Sequence, residues 1–175
     1  MVRYHDEEWG VPVHDDTELF ERLALESFQA GLSWNTILRK REAFRQAFQG
    51  FDPVVVAAFD DGDRTRLMAD AGIVRNRAKI DATIGNAAAL LAIAAEGGSF
   101  DAYLATMVPP PPAGLPRTAT SGDIPGSTPT SDALSADLRR RGMRFVGSTI
   151  VYAFMQSVGL VDDHLPGCFR YAEPA

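Results

Sequence analysis

Cysteine and histidine are scarce in this 175-residue chain: one cysteine, Cys168, and three histidines. A single cysteine excludes an internal disulfide framework and fits a reducing compartment. Scarcity also constrains metal chemistry. A structural zinc site takes four ligands, and the stretch DHLPGC at residues 163–168 supplies two, His164 and Cys168. Long apolar runs are missing too. The most apolar stretch, AAALLAIAA at 87–95, falls short of the roughly 20 residues that span a bilayer, and the opening MVRYHD is charged, unlike a secretory leader. A cytoplasmic protein without a membrane partner is expected. No segment alternates apolar and polar residues over strand length, and no internal repeat is present, so the expectation is an all-α fold. Its length suits one domain, residues 1–175.

Base is in deficit, with a net charge of -6, which on its own argues against a nucleic-acid partner. The distribution says more. Residues 1–30 carry eight acids and two bases, the whole of the imbalance. Beyond them the bases cluster: Arg64, Arg66, Arg75, Arg77 and Lys79 in one group, Arg139, Arg140, Arg141 and Arg144 in another.

Helix signals fill the chain. Asp15, Asp16 or Thr17 caps ELFERLALESFQA, where Leu19, Leu23, Glu26 and Ala30 share a face. Gly31 breaks the chain and Ser33 caps a second helix with Trp34, Ile37, Phe44 and Phe48 on its apolar stripe. Asp52-Pro53 starts a third. Further helices are expected in DRTRLMADA, in RAKIDATIGNAAALLAIAAEGG with the stripe Ile80, Ile84, Ala87 and Leu91, in FDAYLATM after Ser99, in DALSADLRRR capped by Thr130 or Ser131, and in FVGSTIVYAFMQSVG. The proline-rich segment 108–130, with seven prolines from Pro109 to Pro129, is a loop.

Three constellations can carry chemistry. His164 and Cys168 form half a metal site, for which His5 and His14 near the other end are candidate partners, because chain ends often lie close together. Glu26 lies on an apolar face, where a carboxylate marks a satisfied contact or a pocket, and Tyr4, Trp9 and Trp34 could clamp a flat cationic ligand beside it. LMADAGIVRNRAKI at 67–80 reads as helix, turn, helix, with Arg75, Arg77 and Lys79 after Gly72, an arrangement able to hold phosphate.

YHDEEWGVP, LESFQAGLSW, DAGIVRNRAKI, TSDALSADLRRRGMRFVGSTIVYAFMQSVGLVDDH and the terminal His-x3-Cys follow one another here as they do in the DNA-3-methyladenine glycosylase I family, which the chain resembles over nearly its whole length. The resemblance implies a single helical domain in which 67–80 is a helix–hairpin–helix element, Gly72, Arg75, Arg77 and Lys79 hold the phosphates of double-stranded alkylated DNA, and the enzyme, as a monomer, hydrolyses the N-glycosidic bond of 3-methyladenine to leave an abasic site. It assigns Glu26 the catalytic and base-recognising role and Tyr4, Trp9 and Trp34 the pocket walls. It makes His5, His164 and Cys168 ligands of a structural zinc that links the termini. The family's further cysteine, upstream of the YHD motif, has no counterpart in this chain; the fourth ligand is expected before residue 1, or as water or His14. Two other readings stay open: a catalytically silent lesion-binding domain, and a zinc hydrolase of small molecules.

Overall fold

The structure, a computed structural model, describes residues 1–110 and 115–171. Among the described residues the regular structure is entirely helical: α1 (Val2–Glu7), α2 (Asp16–Gln29), α3 (Trp34–Ala47), α4 (Pro53–Ala57), α5 (Asp61–Ala69), α6 (Arg77–Gly97), α7 (Phe100–Met107), α8 (Pro129–Arg140) and α9 (Ser148–Ser157), with single 3-10 turns at Gln49–Phe51 and Ser121–Asp123. The all-α expectation holds.

Local chemistry places most of these starts. The side chains of Asp15, Ser33, Asp52, Asn76 and Ser99 each accept a hydrogen bond from a backbone N–H in the first turn of the helix that follows, satisfying donors that have no partner within the helix. The α8 start corrects the sequence reading. Its cap is Thr128, not Thr130 or Ser131; Pro129 occupies the first turn, and Thr128 and Ser131 exchange side-chain-to-backbone hydrogen bonds. The last proline of the loop is thus the first residue of the helix, a position that needs no N–H. Helix α1 has no counterpart in the sequence reading. Met1 gives it no side-chain cap, and it is held by burial of Tyr4, 5% exposed.

Helix α2 is the axis of the molecule, packed against α3, α6, α7 and α9. All ten residues from Leu19 to Phe28 are buried, so the helix has no solvated face on which to place its polar side chains. Each therefore needs a partner. Glu21 accepts from Arg45 Nε at 2.9 Å, Arg22 donates to Glu18 at 2.9 Å, and Ser27 donates to the carbonyls of Leu23 and Phe145. Glu26 is the exception. Around α2 the aromatic core closes, with Phe28 against Phe44 (4.7 Å between centroids) and Phe48 stacked on Phe51 (5.3 Å).

Helix α6, at 21 residues with a mean hydropathy of 1.3 over its apolar window, is long and apolar enough to cross a membrane; the run 87–95 is only its second half. Half of that window is buried in the fold, with Ile80, Ile84, Ala87, Leu90 and Ile93 in the core. A core helix accounts for its composition. Leu90 replaces the expected Leu91, which is half-buried.

Candidate active site and metal cluster

Where α1, α2, α3 and α9 meet, a cavity of about 320 Å³ opens, walled by Tyr4, Trp9 and Trp34 and edged by Gln29, Ala153 and Gln156, with Glu26 on its lining. Such a volume lies at the small end of ligand pockets. Glu26 reaches it from the buried length of α2. It is 5% exposed and hydrogen-bonds to no other described residue. Burial pushes its carboxyl up to about 8, against an opposing pull from the charge of Arg22. The Tyr4 and Trp34 rings lie 5.3 Å apart at a tilt of 49°, and both keep a buried donor, the Tyr4 hydroxyl and Trp34 Nε1, without a partner among the described residues. Burial first, then the charge of Glu26, raises the Tyr4 hydroxyl pKa to about 12, so it remains a proton donor at every physiological pH. A carboxyl and two donors without partners are thus gathered around one small aromatic-walled space.

Behind this wall, Arg22 lies 5.7 Å from the Tyr4 ring centroid and pairs with Glu8 and Glu18, while Arg41 clasps Glu8 through both terminal nitrogens.

The second cluster shares the pocket's edge. One ligand atom each from His5, His164 and Cys168 fall within 4.8 Å of one another, with Cys168 Sγ 3.5 Å from His5 Nε2. His164 Nδ1 lies 2.7 Å from Asp162 and His5 Nδ1 2.8 Å from Asp6. A carboxylate on Nδ1 fixes the tautomer that leaves Nε2 as the lone pair, the usual support of a metal-bound histidine. His164 Nε2 is buried with no hydrogen-bond partner among the described residues, so the donor set fits a metal ion. His14 does not complete it. Its side chain is 75% exposed and paired with Asp101 on α7, which removes it as the alternative fourth ligand. Trp9 packs edge-on against His164 at 4.7 Å. The next residue must be glycine: Gly10 has φ +76°, and a Cβ there would lie 2.7 Å from His164 Cε1. Asp163 fastens the loop to α9 by accepting from Tyr152 Oη at 2.5 Å and Gln156 Nε2 at 2.6 Å.

Residues 67–80 form two helices joined by a turn, α5 to α6. Asp70 Oδ1 accepts from Gly72 N–H at 2.7 Å, and Lys40 donates to the carbonyls of Ala71 and Gly72, each at 2.9 Å. Gly72 sits close to α3, where an added Cβ would lie 3.0 Å from that of Ala43. The N–H groups of Ile73, Val74 and Arg75 make no hydrogen bond to another described residue. Arg75 and Arg77 are exposed. Lys79 corrects the sequence reading. It is 6% exposed, and its ammonium donates to the carbonyls of Phe28 (2.8 Å) and Ala30 (2.6 Å) at the end of α2. It ties the hairpin to α2 and is not available to a phosphate.

Residues 1–171 match the family model for methyladenine glycosylase. The chain belongs to the methyladenine glycosylase family. It is 51% identical to DNA-3-methyladenine glycosylase 1 of Escherichia coli (strain K12), over 97% of this chain and 90% of that protein. It is 44% identical to DNA-3-methyladenine glycosylase of Haemophilus influenzae, over 95% and 90%. Among solved structures, a 3-methyladenine DNA glycosylase I superposes with a TM-score of 0.92 at 49% identity, covering 97% of this chain and 93% of that one. A variant 3-methyladenine DNA glycosylase I solved in complex with 3-methyladenine gives a TM-score of 0.92 at 38% identity, covering 99% and 93%.

Within this family member the structure brings Tyr4, Trp9, Glu26 and Trp34 to one cavity, and His5, His164 and Cys168 to one point. Several participants went unread in the sequence. Gln29 follows Glu26 by one helical turn, a spacing that could have revealed it, and Asp162 stands two residues before His164 in the DDH triplet. Gln156 and Arg22 carry no local signal; only packing assigns them to the site.

Proposed function

We propose that the protein is a DNA repair glycosylase that hydrolyses the N-glycosidic bond of 3-methyladenine in alkylated DNA, leaving an abasic site. The observation that carries this reading is Glu26: a buried carboxyl with no hydrogen bond to another described residue, in a base-sized cavity walled by Tyr4 and Trp34. Membership of the methyladenine glycosylase family and the 3-methyladenine held by a solved relative support it. Methylation on a ring nitrogen makes the base cationic. A damaged base costs less to extrude from the duplex, and the charge makes it a good leaving group that needs little acid assistance. Electron-rich ring faces attract such a base. Glu26 meets its edge as a carboxylate, favouring the cationic lesion over neutral adenine, and faces the positive character that develops on the sugar as the bond breaks.

The α5–α6 hairpin presents the N–H groups of Ile73 to Arg75 to a DNA phosphate, with Arg75 and Arg77 adding charge. A structural zinc held by His5, His164 and Cys168 would join the two ends of the chain beside the pocket; it takes no part in bond cleavage.

Replacing Glu26 by glutamine keeps the shape and removes the charge. Glu26→Gln is expected to slow release of 3-methyladenine from methylated duplex DNA by about two orders of magnitude or more, the scale of losing a charge-stabilising group in an active site. The check is chromatography of the freed base under single-turnover conditions. Equal release by the variant removes Glu26 from the reaction, and no release by the unaltered protein makes it a silent lesion binder.

A further inference from the structure

Two glutamines line the base pocket, Gln29 from α2 and Gln156 from α9. A glutamine amide donates at one end and accepts at the other, and a free amide turns to suit what it meets. Gln29 is of that kind, with no side-chain hydrogen bond to another described residue. Gln156 is not. Its Nε2 donates to Asp163 Oδ2 at 2.6 Å, and the same oxygen accepts from Tyr152 Oη at 2.5 Å.

The fold fixes which end of the amide is which. Tyr152 and Asp163 are both buried. Burial, then the bond to Asp163, raises the Tyr152 hydroxyl well above its ordinary pKa, so it stays a donor and Asp163 Oδ2 an acceptor. An accepting oxygen admits only the NH2 end of an amide. Helix α9 sets this up by spacing: Tyr152 and Gln156, four apart, share a face toward Asp163, while Ala153 and Gln156, three apart, both reach the pocket. Gln156 Oε1, which has no partner among the described residues, is the end left for the cavity.

A fixed acceptor has a chemical consequence. At position 6 of a purine, adenine carries an amine that donates and guanine a carbonyl that accepts. Glu26 alone reads that difference poorly. With its carboxyl pushed up to about 8 by burial, it is able both to accept from an amine and, protonated, to donate to a carbonyl. The unpartnered Tyr4 hydroxyl and Trp34 Nε1 are donors and suit the ring nitrogens. Gln156 Oε1 only accepts.

We infer that Gln156 is a specificity residue, its Oε1 accepting from the exocyclic amine of the flipped base and opposing a carbonyl in that place, with Asp163 the positioning residue that holds the amide this way round. The inference rests on the glycosylase reading above. Its test compares affinities for free 3-methyladenine and for 3-methylhypoxanthine, which carries a carbonyl in place of the amine. The readout is tryptophan fluorescence, since both tryptophans, Trp9 and Trp34, line the pocket. The unaltered protein is expected to prefer 3-methyladenine. Gln156→Met keeps the length and loses the amide, and is expected to cut that preference roughly ten-fold, the scale of one hydrogen bond. Asp163→Asn offers an N–H of its own, so the Gln156 amide turns; the preference should fall as far with Gln156 intact, and the double variant should fall no further. Tyr152→Phe removes the other donor to Asp163 and should lower the melting temperature while keeping the preference. The methionine variant carries the test if Asp163→Asn does not fold. A native preference in Gln156→Met overturns the inference, as does an equal loss of affinity for both bases, the mark of a packing role. A native preference in a folded Asp163→Asn overturns the positioning. If the unaltered protein neither releases 3-methyladenine from DNA nor binds it, the glycosylase reading itself fails; release with an unmoved preference sinks Gln156 alone.

Discussion

At Glu26, burial and ligand attraction pull the same proton in opposite directions. With its carboxyl at about 8 rather than the ordinary 4.5, the empty folded protein holds a proton that the unfolded chain releases between those values. Glu26 therefore contributes stability that is complete below about pH 4.5 and is lost as pH rises through about 8. A cationic base needs the opposite state. Excision at low enzyme concentration is expected to rise with pH through about 8, since that dependence reports the free enzyme. Urea unfolding at several pH values checks the first half: the difference in stability between the unaltered protein and Glu26→Gln should fall with a slope on the order of 1 kcal/mol per pH unit across the window. Parallel curves would show that Glu26 keeps an ordinary proton affinity. Helical spacing made Glu26 readable, because it sets the residue on the face of Leu19 and Leu23. The same reading failed at Lys79, whose reach ends on the carbonyls of Phe28 and Ala30, a neighbour that only the fold supplies.

The α5–α6 hairpin divides its basic residues into two kinds of work. Arg75 is exposed and pairs with no other described residue, so Arg75→Ala should weaken DNA binding across sequences and reduce the salt slope by about 1, with the melting temperature held. Lys79→Met should do the reverse. It strips two buried or half-buried carbonyls of their donor, each worth about 1–3 kcal/mol if left unsatisfied, and lowers thermal stability while the salt slope stays. A reduced salt slope in the methionine variant would return Lys79 to the phosphate contacts. Where a side chain makes its own cap, as at Asp15, Ser33 and Asn76, the helix start could be read from the sequence. Helix α1 has no such cap and exists because Tyr4 is buried. Its presence depends on the whole molecule.

Across that whole, the ends of the chain meet beside the pocket. His5 and Cys168 are 163 residues apart in sequence and 3.5 Å apart in space, so an ion between them would close a very long loop, where restraint of the unfolded chain is greatest in principle. Trp9 makes the consequence functional. It packs on His164 and also walls the pocket, so loosening the cluster should loosen the base site. The nearness of chain ends made both His5 and His14 candidate partners, and only the family resemblance chose between them, because nothing local to DHLPGC points to residue 5. Protein loaded with zinc is expected to lose thermal stability on treatment with a strong chelator, by about 2–4 °C for each kcal/mol of binding energy in a domain of this size. Cys168→Ser should start near the chelated value and respond little. Affinity for free 3-methyladenine should fall in step, because His5 and Trp9 would no longer be held against the tail, and readded zinc should restore it in the unaltered protein. A chelated protein that melts and binds the base as the loaded one does would leave the tail fastened by the Asp163 and Gly10 contacts alone.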